Sequence, residues 1–212
     1  MAIDELLDEH EQGERVRSWL RKNGAALLGG VAAGLAVILG GQWWNEQHND
    51  AQAQAHAKYE AVVKSIEAKD LDKAGKDVAA LASSRSGIYG ELAALRLAKA
   101  QVDAGKHGEA IKVLQGVQSD EQFKPIVDQR LARLLIDTGK PAEAQALLAS
   151  ADDGVSLEIR ADAAVAQNKR DEARELYTKA LGLVDVASPQ RRLLETKLTD
   201  VGGTVPDPAQ PI

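Results

Sequence analysis

Hydrophobic positions follow two regimes along this chain. From Asn23 to Asn45 no residue is charged, and the run Gly24–Gly41 is apolar on every side of a helix. Elsewhere apolar residues recur at steps of three and four. Tyr59, Val62, Val63 and Ile66 make one such stripe; Leu71, Ala74, Val78, Leu81 and Ala82 make the next. That spacing predicts amphipathic helices. The continuous run predicts a membrane span, because about 20 apolar residues cross ~30 Å of hydrocarbon. The run reaches that length with Trp43 and Trp44 at the membrane edge. Trp19 lies just before it, so all three tryptophans flank the span, where their amphipathic rings suit the headgroup layer.

Two other readings of the run are weaker. A core helix apolar all round would need a large protein around it. A cleaved signal finds A-x-A patterns among Ala51, Ala53, Ala55 and Ala57. The apolar run is, however, longer than the ~7–15 residues of a signal core. Orientation follows from Lys and Arg. Arg15, Arg17, Arg21 and Lys22 precede the span, and the next basic residue is Lys58. The N-terminus is therefore expected in the cytoplasm and the C-terminal part in the periplasm, on a bacterial inner membrane crossed once. Arg21 and Lys22 join the tryptophans as interfacial anchors. Within the span, Ala26, Gly30 and Gly34 share one stripe and Ala32, Ala36 and Gly40 another, a spacing that lets a second helix approach closely. Residues 1–22 carry acids first and bases last, with Ile3, Leu6, Leu7 and His10, then Val16, Trp19 and Leu20, at helical spacing. They read as a helical extension of the anchor.

Beyond the span a repeat is visible. Gly-Lys-x-x-Glu-Ala occurs at Gly105–Ala110 and again, 34 residues on, at Gly139–Ala144; Asn168–Ala173 is a degenerate copy 29 residues later. Tyr89 aligns with Phe123, Leu97-Ala98 with Leu131-Ala132, Val102 with Ile136 and Val165, and Leu114 with Leu148 and Tyr177. Small Ala98, Ala110, Ala132, Ala144 and Ala173 let antiparallel helices approach. Gly105, Gly139 and Asn168 suit the left-handed conformation that ends a helix. A helix-turn-helix period of 34 residues is the tetratricopeptide signature. The stretch around Lys69-Asp70 reads as a diverged first repeat. The 29-residue interval implies a shortening near Ala151–Gly154, and a last helix starts around Pro189. The expected fold is all-α: one transmembrane helix (23–45) after a cytoplasmic segment (1–22), a tetratricopeptide-like α-solenoid (46–201) and a disordered proline-rich tail (202–212).

In such a solenoid the first helix of each pair lines the inner face. Arg96 and Arg130 then occupy equivalent positions, as do Lys99 and Arg133, and Asp103 and Asp137; the third repeat offers Glu158 and Asp162. A groove basic at one end and acidic at the other suits an extended peptide. These six residues, Arg96, Lys99, Arg130, Arg133, Glu158 and Asp162, are the candidate partner-binding set.

Composition narrows the chemistry. Aromatic residues are scarce, at 3%, while 36 alanines supply close-packed helices. A net charge of −6 argues against nucleic acid, whose phosphates need a basic face. No cysteine is present, which excludes thiol chemistry. His48 and His56 lie eight residues apart, unlike a helical zinc pair at i and i+4, His10 falls in the cytoplasmic segment and His107 in a turn. No nucleophile elbow or phosphate loop occurs. No enzyme, cofactor or metal site is expected. A mean hydropathy of −0.28 merely averages a very apolar helix with a polar remainder.

Taken together the chain resembles the YfgM family of ancillary subunits of the bacterial SecYEG translocon. The likeness rests on the acidic-then-basic start, the span ending in Trp43-Trp44-Asn45, the stretch from Tyr89 to Ala98 (YGELAALRLA), Arg130-Leu131-Ala132-Arg133 and Ile159–Ala163. The chain departs from that family at Ala161 and Asn168, where the family has glycine. The resemblance implies an inner-membrane protein with a periplasmic repeat domain. It implies partners in the Sec translocon, a membrane-anchored peptidyl-prolyl isomerase chaperone and nascent exported proteins. The implied role is to help exported chains fold or be handed on. The alternative is a cell-envelope scaffold coordinating division or wall synthesis.

Overall fold

The computed structural model describes residues 2–82, 88–117 and 119–206, with side chains from residue 13 on except 45–51. The hydrophobic positions of residues 1–12, His10, His48 and the tail from residue 207 thus lie outside what is described. Every regular element among the described residues is a helix: α1 (Ala2–Glu67), α2 (Leu71–Ala82), α3 (Ile88–Asp103), α4 (His107–Gln115), α5 (Lys124–Asp137), α6 (Pro141–Leu147), α7 (Gly154–Ala166), α8 (Arg170–Leu183) and α9 (Pro189–Asp200). The chain divides into two compact units, Met1–Ala53 and Gln54–Ile212.

In the first unit, Gly13–Trp44 is long and apolar enough to cross a membrane, with a mean hydropathy of 1.9 over its best window and no part of that window buried. A buried core helix is therefore not what this segment is. Trp19, Trp43 and Trp44 are all exposed, and so are Arg21 and Lys22. Ala26, Gly30 and Gly34 face open space; a Cβ added at either glycine would meet nothing within 4 Å.

The second unit is a series of helix hairpins. The end of α1 meets α2 through side chains, Val62 clustering with Ala74, Val78 and Leu81 and Ser65 donating to Asp77; α3 pairs with α4, α5 with α6 and α7 with α8, and α9 closes the series against α8. Each of the four hairpins turns in the same way. A residue with positive φ follows the first helix: Lys69, Gly105, Gly139 and Asn168. Its amide bonds three residues back and the next amide bonds five back, as in Gly105 N to Val102 O (2.9 Å) and Lys106 N to Gln101 O (2.7 Å). This paired closure satisfies the last carbonyls of the helix. The departure from glycine at Asn168 leaves the turn unchanged, since Asn168 reaches φ 60° with bonds of the same kind.

The small residues named by the repeat are the hairpin contacts: Ala110, Ala132, Ala144 and Ala173 are completely buried and Ala98 nearly so. Leu114 in α4, Leu148 just past the end of α6 and Tyr177 in α8 occupy equivalent buried positions. The shortening between the second and third copies is spread out rather than removed as one turn. It falls on α6, 7 residues long against 9 for α4, and on the connection into α7. There Asp153 caps α7, its carboxylate accepting the amides of Val155 and Ser156 at 3.1 and 3.0 Å. The last helix starts at Pro189, as its position predicts.

Candidate interaction face

Four first helices, the end of α1, α3, α5 and α7, share one register relative to their turns. Burial follows the helical period. On α5, Val127, Leu131, Ala132, Leu134 and Leu135 are buried, and Ile126, Arg130, Arg133 and Asp137 form the exposed stripe at i, i+4, i+7 and i+11. The same stripe on α3 reads Leu92, Arg96, Lys99 and Asp103, the leucine half-buried and the others exposed. Two successive helices thus present apolar, cationic, cationic and acidic residues in matching rows. The equivalences Arg96–Arg130, Lys99–Arg133 and Asp103–Asp137 hold in register and in exposure. The apolar row of Leu92 and Ile126 was readable from the same 34-residue offset, yet escapes notice without knowing which face is open.

Partners differ along the rows. Lys99 Nζ lies 2.6 Å from Asp103 Oδ2, an exposed i, i+4 pair. Arg96 sits over the ring of Tyr59, 5.7 Å from its centroid. Tyr59 in turn meets Tyr89 at 5.7 Å, and Tyr89 meets His56 at 5.5 Å. Two of the three tyrosines therefore gather where α1 and α3 adjoin. Arg96, Arg130 and Arg133 form no ion pair among the described residues.

The rows end at α7. Ile159 takes the place of the first arginine and is fully buried. Glu158 and Asp162 are partly buried and are not free acids: Lys197 of α9 reaches both, at 2.6 and 2.8 Å. The Tyr177 hydroxyl donates to Asp162 Oδ1 at 2.6 Å. Burial opposes the charge on Lys197, but the bonds to Asp162 and Glu158 outweigh it and hold the ammonium above the usual lysine range. Burial, the Asp162 hydrogen bond and the surrounding carboxylates all push the Tyr177 hydroxyl well above its ordinary value. The acidic end of the groove is thus occupied by the chain's own cation. Sequence offered no sign of this, because Lys197 lies 39 residues from Glu158 and outside the repeat.

No grouping of three or more metal-ligating side chains occurs among the described residues. His107 is the first residue of α4 rather than part of the turn, and it is exposed.

Stacked helix pairs with conserved turn geometry and a patterned open face define a helical-repeat interaction protein. The chain belongs to the tetratricopeptide repeat-like domain family, whose model matches residues 17–203 and so takes in the apolar helix as well as the repeats. It is also similar to the ancillary SecYEG translocon subunit of Escherichia coli (strain K12), with 25% identity over 204 residues covering 92% of this chain and 97% of the relative. The family resemblance read from the sequence is thereby borne out.

Proposed function

We propose that this chain is a membrane-anchored interaction module that works beside the Sec translocon and helps exported proteins fold or pass to periplasmic chaperones, a peptidyl-prolyl isomerase among them. The observation that carries the reading is the extent of the likeness to the translocon subunit. It covers anchor and repeats together, not the repeats alone, which many unrelated proteins share. The apolar helix supports a single crossing of the inner membrane. The cluster Arg15, Arg17, Arg21 and Lys22 supports an N-terminus in the cytoplasm and repeats in the periplasm. Anchoring keeps the repeat face close to emerging chains, and the resulting effective concentration lets weak contacts suffice.

Photo-crosslinkers placed at positions 96 and 133 of the full chain test this in intact cells. Crosslinks to translocon subunits, the isomerase or nascent exported chains are expected. Crosslinks confined to division or wall-synthesis proteins would overturn the reading in favour of an envelope scaffold. A C-terminal alkaline phosphatase fusion is expected to be active; an inactive fusion would reverse the orientation.

A further inference from the structure

The protein carries a net charge of −6, yet the open face of α3 and α5 has the opposite sign. Each helix contributes two cations in register, Arg96 with Lys99 and Arg130 with Arg133. One of the four is offset locally, by the Lys99–Asp103 pair. The three arginines are exposed and hold no carboxylate among the described residues. Elsewhere in the second unit some cations are matched on their own helix, as in Lys73–Asp77, Lys124–Asp128 and Arg191–Glu195, and others, Lys112 and Arg170 among them, form no ion pair among the described residues; what sets the arginines apart is their shared register beside apolar surface. The acids that would make this a two-signed groove, Glu158 and Asp162, are already bound by Lys197. What is left unpaired on the stripes of α3 and α5 is three arginines against one acid, Asp137.

Beside the cations lies apolar and aromatic surface: Leu92 and Ile126 one turn before the arginines, and the ring of Tyr59 under Arg96. Arginine and tyrosine are the residues that most often anchor protein interfaces. The cation–ring contact also holds the Arg96 guanidinium in place, so less freedom is lost when a carboxylate binds. Helices α3 and α5 contribute to one side-chain core, which includes Leu95, Ala98, Val127, Leu131 and Ala132.

We infer that this face takes an extended acidic peptide segment laid across α3 and α5, its carboxylates on Arg96, Arg130 and Arg133 and its apolar side chains on Leu92, Ile126 and Tyr59. This rests on the interaction role proposed above and gives it a ligand chemistry. Guanidinium groups suit carboxylates because their planar fork matches two oxygens. A flat anionic bilayer fits less well, since it would meet the acidic row of Asp103 and Asp137 together with the cations.

The test uses the full chain in nanodiscs of zwitterionic lipid. Two fluorescein-labelled peptides, one of repeated Glu-Phe-Gly and one of repeated Lys-Phe-Gly, are titrated by fluorescence polarisation. The acidic peptide is expected to bind, more weakly as salt rises, and the basic one not to bind. Arg130→Glu with Arg133→Glu is expected to weaken acidic-peptide binding by about tenfold or more. Lys112→Glu with Arg170→Glu makes the same change in net charge on the exposed surfaces of α4 and α8, and binding there is expected to change little. All four positions are exposed, and circular dichroism confirms that each double variant folds. Equal losses in the two double variants, binding of both peptides, or no binding of the acidic peptide would overturn the inference. So would a face variant that loses binding to phosphatidylglycerol vesicles while keeping the peptide. Co-isolation of the translocon with the unchanged chain is measured separately. Its failure would overturn the proposed role and leave the peptide result standing, whereas peptide failure with co-isolation intact would overturn only the ligand chemistry.

Discussion

Among the described residues, Lys69 is the one least suited to its backbone. It adopts φ 60°, where a side chain crowds the following carbonyl at a cost of roughly 1–2 kcal/mol, and it does so at a turn that glycine makes freely elsewhere. Lys69→Gly is therefore expected to stabilise the first hairpin by about 1 kcal/mol, read as a shift in the urea midpoint. Asn168→Gly should gain less, since Asn tolerates the left-handed region better. The converse, Gly139→Ala, should lose about 1 kcal/mol by backbone strain alone. There an added Cβ would touch nothing within 4 Å, so no steric clash confuses the reading. A gain at position 168 larger than at 69 would contradict this account. Gly105, Gly139 and Asn168 were legible in the sequence because each belongs to a residue type that accepts positive φ. Lys69 was visible only through its place before Asp70, since nothing about lysine announces a left-handed turn. Tertiary pairing of α1 with α2 imposes that conformation against the residue's preference.

Among whole elements, α7 and α9 each depend on one titratable contact of opposite sign. Burial alone would raise the Asp153 carboxyl, but the Ser156 hydroxyl and the amides of Ser156 and Val155 outweigh it and hold the group below the usual aspartate range. Its contribution is present above the pKa of an unfolded aspartate and is lost as pH falls through the lower folded value. Asp153→Ala should cost about 1 kcal/mol at neutral pH, and the difference from the unchanged chain should vanish in acid. Lys197 runs the other way. Its raised pKa contributes stability below the pKa of an unfolded lysine, lost as pH rises through the folded value. Lys197→Met leaves Glu158 and Asp162 partly buried without a counter-ion, and a loss of about 2 kcal/mol is expected near pH 7. Thermal midpoints of both variants across pH check these signs; a Lys197→Met penalty undiminished in strong alkali would refute the clamp. The position of α9 was legible from Pro189, and that of α7 from its place before the degenerate copy at Asn168. Their contacts were not. Asp153 falls in the shortened connection, where the repeat register fails, and Lys197 joins residues that only folding brings together.

At the scale of the whole repeat unit, the core is a chain of clusters. One joins α1, α2 and α3 through Val62, Leu81 and Leu97; a second joins α3 to α7 through Leu95, Leu131 and Ile159; a third holds α7, α8 and α9 through Leu157, Leu181 and Leu198. Helices α3 and α7 each take part in two clusters, Leu97 and Leu95 facing different ones on α3, and Leu157 and Ile159 on α7. The sequence period foretold the stacking but not which helices would be shared, because a shared helix differs from its neighbours only in having two buried faces. That arrangement makes stability nearest-neighbour in kind. Leu198 and Ile159 are both fully buried, so truncating either should cost on the order of 2–4 kcal/mol. The consequences should spread differently. Leu198→Ala weakens only the terminal cluster, and amide exchange should quicken in α8 and α9 while α3 and α4 keep their protection. Ile159→Ala strikes the shared helix, loosening the joint between the second and third clusters, and exchange should quicken in α5 and α6 as well as in α8. If both variants raised exchange equally from α2 to α9, the domain would open as a single cooperative body. The face on α3 and α5 would then share its stability with the far end. If they differ as expected, that face rests on the first two clusters, and fraying at α9 leaves its rows of arginine in place.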